Sequence, residues 1–434
     1  MNGGSLVLTL DTARLGEIRA VTIGGIAAVQ MTTTAAGVTV LSQGAPSPGA
    51  APIVVSGANG ELHGALVFDD VKAGVPRTWM AFGASLTSGA SGSGIDAASQ
   101  LDSPAMQAAR AAGVFLPQPL LHELVPPLAP SAFDPATCEQ RPGTGPDAGN
   151  LLGALNDPTT SAIDARRARL DPVVTIRNTA VPGAHVAEFL RGAVGTERIL
   201  EHLFNPLDSD PDVLFQPIHV PQIARIEMLD PDVGLTTDLL GNDIDPSVVA
   251  TDDLHPELIT PLDKLKPDLA EVAARLGKLH GHYFIANLPP ITLLPGVAEL
   301  AKRRLAAGTD TQATFDAKKK LIDDQLTAYN AALLEAVMPY PNLHLVDLAA
   351  EIAKDQNGIA VGGEDITGAR FGGFFSLDFL HLSPTGYGLV ANVFLAQIEA
   401  TLGVSMPRVD LAVVHARDPY SPSALRAAGL GCVP

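Results

Sequence analysis

From residue 79 onward, short runs of apolar, strand-forming residues alternate with Ala- and Leu-rich stretches of helical periodicity. The apolar runs predict strands at 79–82, 173–176, 233–236, 283–286 and 343–346, and the periodic stretches predict helices at 104–112, 268–279 and 311–337. Strands alternating with helices are the pattern of a parallel sheet joined by crossover helices, so this part of the chain reads as α/β. Before residue 75 the pattern differs. Runs at 5–10, 18–23, 37–41, 53–56 and 62–68 are short, rich in β-branched residues and separated by Gly, Pro, Ser and Asn, which predicts a small antiparallel β unit. The expected division is therefore a β-rich unit at 1–75, the α/β domain at 76–406, and a C-terminal extension at 407–434 with one alternating strand at 409–414. A loop-rich segment at about 115–160, heavy in Pro and Gly, interrupts the domain. Stretches of that length are commonly functional covers, so its apolar residues Phe115, Leu116, Leu120, Leu121 and Val125 are candidates for lining a substrate entrance. In 311–337, Lys318, Lys319 and Lys320 with Asp316, Asp323 and Asp324 read as a solvated face with charge pairs four residues apart.

Composition narrows the function classes. The 434 residues carry 28 Lys and Arg against 47 Asp and Glu, a net charge of −19, and no basic cluster interrupts that balance. A nucleic-acid backbone would be repelled, so no nucleic-acid partner is expected. No run of 18 apolar residues occurs, so no integral membrane segment is expected either, and Met1-Asn2-Gly3-Gly4 lacks the charged and apolar regions of a signal peptide. Two cysteines, Cys138 and Cys432, are too few for a disulfide framework or a zinc site. Both stand in loop-like surroundings, which suits one bridge between the insertion and the C-terminal tail, with two unrelated thiols as the alternative.

The candidate chemistry lies where apolar runs end. Trp79-Met-Ala-Phe-Gly83-Ala-Ser85-Leu-Thr87 stops a strand at a glycine and places a serine two residues later. That position lies at the C-terminal end of a strand, where open α/β sheets put their active sites. The Gly-x-Ser-x-Gly elbow of α/β hydrolases is not met, because Thr87 stands at its second glycine. In Asp378-Phe-Leu-His381, followed by Pro384, an aspartate three residues before a histidine can hold the imidazole in one tautomer while its other nitrogen faces a serine. Asn178-Thr-Ala-Val-Pro-Gly183 and Gly241-Asn242-Asp243 end two further strands in a backbone donor and a side-chain amide donor, the two kinds of group an oxyanion hole uses. Other motifs carry less. Asp208-x-Asp210-x-Asp212 begins like a calcium loop, but Val213 and His219 stand where glycine and glutamate are required. His280 and His282 read as half-exposed packing, and Gly92-x-Gly94 as a flexible rim instead of a dinucleotide loop.

In order, Gly83-Ala-Ser85-Leu with Thr87, 178–183, Gly241-Asn242-Asp243 and Asp378-x-x-His381 resemble the four blocks of the SGNH, or GDSL-type, ester hydrolases. Ala286-Asn287-Leu288-Pro289-Pro290 with Pro295 resembles a further family segment, and the resemblance spans about 79–402. It implies a flavodoxin-like three-layer α/β/α sandwich and a carboxylic-ester hydrolase acting on a small-molecule, lipid or glycan ester, with no metal or cofactor. It further implies Ser85 as nucleophile, His381 as general base and Asp378 as the acid orienting it. Ser85 N–H, Gly183 N–H and Asn242 are implied as the oxyanion hole. Many members are exported, which with a disulfide would place this protein outside the cytoplasm. Two departures stand out: Ala84 replaces the aspartate that names the GDSL motif, and the stretch between Ser85 and Gly183 is long. The alternative from another class is a noncatalytic surface- or glycan-binding protein that uses the N-terminal β unit, with the hydrolase-like domain as a scaffold.

Overall fold

The computed structural model describes residues 4–9, 12–34, 37–42, 44–45, 47–92, 94–121, 128–141, 175–192, 220–248, 252–355 and 358–433. Residues 4–68 hold the strands β1 (Gly4–Thr9), β2 (Ile18–Ile23), β3 (Ile26–Ala27), β4 (Val29–Thr34), β5 (Gly37–Ser42), β6 (Gly49–Gly57) and β7 (Gly60–Phe68). They pair antiparallel in two sheets, in the orders β1-β5-β4 and β3-β2-β6-β7. Alternation explains the second sheet: Ala51, Ile53 and Val55 of β6 point inward beside Val21, Ile23 and Phe68, while their neighbours face outward. The threonine-rich β4 is not signalled by apolar periodicity.

The later apolar runs form β8 (Trp79–Ala81), β9 (Val233–Thr236), β10 (His282–Ala286) and β11 (Leu343–Val346), a parallel sheet in the order β11-β10-β9-β8. On the free edge of β8, Asn178 makes a parallel bridge to Ala81, with Ala81 N–H donating to Arg177 O and Thr179 N–H to Ala81 O, both at 2.8 Å. The fifth partner thus centres on Asn178 and not on the expected 173–176, of which 173 and 174 lie outside the described residues. Period-two alternation divides the strands between two cores. Trp79, Ala81, Val233, Leu235, Phe284 and Ala286 face helices Pro104–Ala112 and Pro384–Leu402; Met80, Phe82, Tyr283 and Ile285 face helices Val186–Arg191, Gln222–Leu229, Leu262–Leu276 and Gln312–Val337. Each fully buried large apolar side chain contributes about 1.5–3 kcal/mol, so the sheet is the anchor of the domain.

Several elements differ from expectation for local reasons. The helix predicted at 268–279 starts earlier, at Leu262, and carries Pro267 inside it. In helix Gln312–Val337, Thr311 is the N-cap; Lys320 pairs with Asp324 four residues on, but Lys318 reaches off the helix to Asp253 at 2.6 Å. The strand expected at 409–414 is a helix, Leu411–His415, because the Asp410 side chain accepts from Ala412 and Val413 N–H and caps it. No described helix is long and apolar enough to cross a membrane.

The C-terminal residues fold back onto the domain. Arg417 pairs with Asp102, and Asp418 accepts from both the N–H and the hydroxyl of Thr385. Cys138 and Cys432 form a disulfide with their Cα atoms 6.0 Å apart, joining the insertion to the tail. Around it Phe133, Phe371, Tyr420, Leu425 and Leu430 make a separate small core, and the rings of Phe133, Phe371 and Phe379 meet edge to face. Phe379 lies between Asp378 and His381. Reduction, or Cys138→Ser, is therefore expected to lower stability by about 2–5 kcal/mol, read as the shift in a denaturant unfolding midpoint. An unchanged midpoint would show that the tail holds without the bridge.

Candidate active site

Gly83, two residues past β8, has φ +125°, and any Cβ there would lie 2.5 Å from Thr236 Oγ1 and 2.9 Å from Asp238 Oδ1. Only glycine allows the chain to turn so close to β9. Gln222, fully buried on its helix, holds that turn like a strand partner: Gly83 N–H donates to its Oε1 and its Nε2 donates to Gly83 O, both at 2.9 Å. Ser85 follows as the first residue of the short helix Ser85–Ser88 and is partly exposed in a cleft with Leu86, Asp238, Gly241, Asn242, Asp245, Leu380 and His381.

The Asp238 carboxylate, 2 % exposed, gathers the turn around the serine. It accepts from Ala84 N–H at 3.0 Å, Leu86 N–H at 2.6 Å, Thr87 N–H at 3.4 Å and the Thr87 hydroxyl at 2.7 Å. Thr87 Oγ1 in turn accepts from Thr237 N–H. Among the described residues, the N–H of Ser85 is passed over and donates to none. Burial pushes the Asp238 carboxyl up, against these four hydrogen bonds. Asp238, just beyond β9, thus brings a carboxylate to the turn in which Ala84 carries none. The sequence signal was a charged residue two positions after an apolar strand and three before the Gly241-Asn242-Asp243 motif.

His381 and Asp378 sit on a loop closed by Ser376 N–H donating to His381 O at 2.9 Å. His381 Nδ1 and Asp378 Oδ2 are 2.6 Å apart, and Asp378 Oδ1 accepts from Leu380 N–H, His381 N–H and Ser376 Oγ. The Asp378 side chain is 3 % exposed. Burial works to raise its carboxyl, but the His381 charge and the hydrogen bonds prevail and hold it at about 2. For His381, burial acts to lower the imidazole, but Asp378, followed by Asp245 and Asp238, raises it above the ordinary value. The imidazole shares the cleft with Ser85; no hydrogen bond joins their side chains in this structure.

The loop 178–184 lies beside the serine. Asn178 Nδ2 donates to Thr87 O at 3.0 Å, Val181 N–H donates to Gly83 O at 3.0 Å, and Gly183 has φ +85°. Asn242 Nδ2 donates to Ala184 O at 3.0 Å, and Asp243 accepts from Val186 N–H at 2.9 Å, so the end of β9 fastens this loop. Ser85, Asn242, Asp378 and His381 are thereby brought together. Gly183 is adjacent through Ala184 but is not itself among the residues lining the cleft.

The described part of the long insertion does something other than expected. Leu116 and Leu120 are buried in the core with Trp79, Leu121 is buried with its N–H donating to Gln100, and Pro117 O accepts from Arg177 and Asn178 N–H. These leucines brace the edge of the sheet instead of lining the cleft, since their neighbours in space are interior helices. Val125 and 142–160 lie outside the described residues, as does the motif at 208–212. His280 is held between Asp230 and Asp232, His282 meets His344 at 2.9 Å, and Gly92 N–H donates to Ser376 Oγ. No group of three or more His, Cys, Asp or Glu side chains among the described residues is placed to hold a metal ion.

An exposed serine hydroxyl, a carboxylate-oriented imidazole, an unengaged N–H and a side-chain amide around one cleft are the parts of a nucleophile, a base and an anion-stabilising pocket. No family model matches the chain, and no curated protein matches it at a significant level.

Proposed function

We propose that the protein is a carboxylic-ester hydrolase of the SGNH, or GDSL, type on a flavodoxin-like domain. With the Asn178 segment counted, the strands in chain order lie in the spatial order 2-1-3-4-5, and the cleft opens at the ends of β8 and β9, where such sheets reverse direction and bind ligands. The observation that carries the reading is the 2.6 Å pairing of Asp378 with His381 in the cleft that Ser85 and Asn242 line.

In this reading His381 Nε2 takes the Ser85 proton as Oγ attacks the ester carbonyl, and Asp378 holds Nδ1–H and stabilises the imidazolium that forms. The carbonyl oxygen gains negative charge and meets Ser85 N–H and Asn242 Nδ2, which line the cleft; Gly183 N–H, set back from that lining, is the third donor the family resemblance implies. His381 then gives its proton to the departing alkoxide, leaving an acyl group on Ser85. It activates a water that releases the acid. The disulfide supports a location outside the cytoplasm.

Hydrolysis of 4-nitrophenyl acetate by the purified protein tests the reading; absence of turnover above the buffer rate counts against it. Asn242→Ala is expected to lower kcat by roughly 10²- to 10³-fold, the usual loss for one oxyanion donor; unchanged kcat removes Asn242 from the mechanism. Because His381 must be neutral to act as base, activity falls as pH drops through its raised value. The acidic limb of kcat/KM is expected to have its midpoint above 6.5. Asp378→Asn should move that limb to lower pH, and an unmoved limb would argue against the pairing.

A further inference from the structure

We propose that Phe379 is a positioning residue for His381: its ring, clamped in the small core behind the loop, holds the tip that carries Asp378 and His381, and the clamp is tied to the Cys138–Cys432 bridge. The inference rests on the ester-hydrolase reading of the same cleft. The base of this loop is stapled, since Ser376 N–H donates to His381 O at 2.9 Å and Phe379 N–H to Ser376 O at 3.1 Å. Its tip is held differently. There Phe379 turns through the left-handed region at φ +59°, and the two residues after that reversal, Leu380 and His381, both donate their N–H groups to Asp378 Oδ1. A residue other than glycine adopts this conformation at a cost and keeps it only where its surroundings over-determine it.

Phe379 has such surroundings. Leu380 and His381 line the cleft, while the Phe379 ring packs into the small core, its centroid 5.3 Å from that of Phe371 and 6.1 Å from that of Phe133. The Arg370 guanidinium lies 4.7 Å from the Phe371 centroid and 5.1 Å from the Phe379 centroid, and a cation over an aromatic face is attracted by the ring quadrupole. Two contacts aim it. Nη2 donates to Cys138 O, and Nη1 reaches Glu299 at 3.5 Å on helix Pro295–Ala306, whose Gly296 N–H also donates to Phe379 O at 3.4 Å. Cys138 is in turn bridged to Cys432, so the tail bears on the tip of the loop. Among the described residues four other than glycine have positive φ, and three of them, Cys138, Phe371 and Phe379, stand in this clamp. The 2.6 Å pairing of His381 with Asp378 is directional, so a tip that relaxes out of the left-handed region carries the imidazole off line while the two large cores stay intact.

The test compares the full-length wild type with Phe379→Ala, Arg370→Met and the double variant Cys138→Ser with Cys432→Ser, circular dichroism checking the fold of each. Two readouts are used: the kinetics of 4-nitrophenyl acetate hydrolysis, and nitrogen NMR of isotope-labelled histidine rings at a pH where they are neutral, with His381 assigned by its loss in His381→Ala. In the wild type His381 is expected as the Nδ1–H tautomer alone. Phe379→Ala is expected to lower kcat by on the order of tenfold with KM little changed, and to mix the two tautomers. Arg370→Met and the bridge variant should do the same to a smaller degree, and they decide the matter if Phe379→Ala does not fold. Phe379→Tyr, which keeps the ring, should retain the single tautomer and most of kcat. A purely structural clamp would lower the unfolding midpoints and leave kcat and the tautomer as in the wild type. That result, or a wild-type His381 without a single tautomer, overturns the proposal. If the wild type does not turn over 4-nitrophenyl acetate, the hydrolase reading fails on its own, and the tautomer readout still decides whether the clamp positions His381.

Discussion

Replacing Ser85 or His381 by alanine is expected to lower kcat by roughly 10⁵- to 10⁶-fold each, and the double replacement to lower it hardly further. The hydroxyl is a poor nucleophile without a base, and the base has no role in acylation without the hydroxyl, so the two losses do not add. Neither change should alter the fold, because both side chains are partly exposed at the cleft and lie outside the two large cores, although His381→Ala also removes the partner of the buried Asp378 carboxylate and should lower stability. An unfolding midpoint close to wild type for Ser85→Ala, a lowered one for His381→Ala, and residual activity independent of which residue was removed are the expected measurements. A Ser85→Ala protein with near-wild-type kcat would remove the serine from the reaction.

The second large effect is expected at Asp238. Asp238→Ala leaves the N–H groups of Ala84, Leu86 and Thr87 and the Thr87 hydroxyl without the acceptor they share. Each unmet buried donor costs about 1–3 kcal/mol, so a stability loss of about 3 kcal/mol or more is expected. The catalytic loss is separable from it through Asp238→Asn, which keeps the volume but presents N–H groups to other donors. With the turn loosened, Ser85 loses its alignment to His381, and kcat should fall roughly 10²-fold with KM little changed. Asp238 also helps hold the His381 imidazole above its ordinary value, so the acidic limb of the pH profile should move down in Asp238→Asn. A purely structural role would lower the unfolding midpoint and leave that limb in place.

The strands of the parallel sheet were legible because they are continuous apolar runs, and the Asp378-x-x-His381 pair because its geometry is local to one loop. The tail at 409–414 misled because a six-residue, mostly apolar stretch fits a strand and a capped turn of helix alike; the Asp410 cap decides. The insertion was read as a cover from its Pro and Gly content, yet Leu116 and Leu120 are interior because the sheet edge next to Trp79 needs apolar partners. Asp238 was missed for a different reason. Its ligands around Ser85 lie 152 residues away in sequence from it, for Leu86, and no local pattern links a carboxylate after one strand to a turn after another. The same holds for Gln222 at Gly83 and for Asp245 in the cleft.

The most direct test of the central claim is covalent trapping of Ser85. An alkyl fluorophosphonate should be attacked by Ser85 Oγ, with fluoride leaving, a phosphorus–oxygen bond forming and the serine proton passing to His381. Intact mass should rise by one phosphonyl group per chain, peptide mapping should place it on Ser85, and His381→Ala should slow the labelling strongly. An unlabelled protein, or a group found on any other residue, would contradict the account.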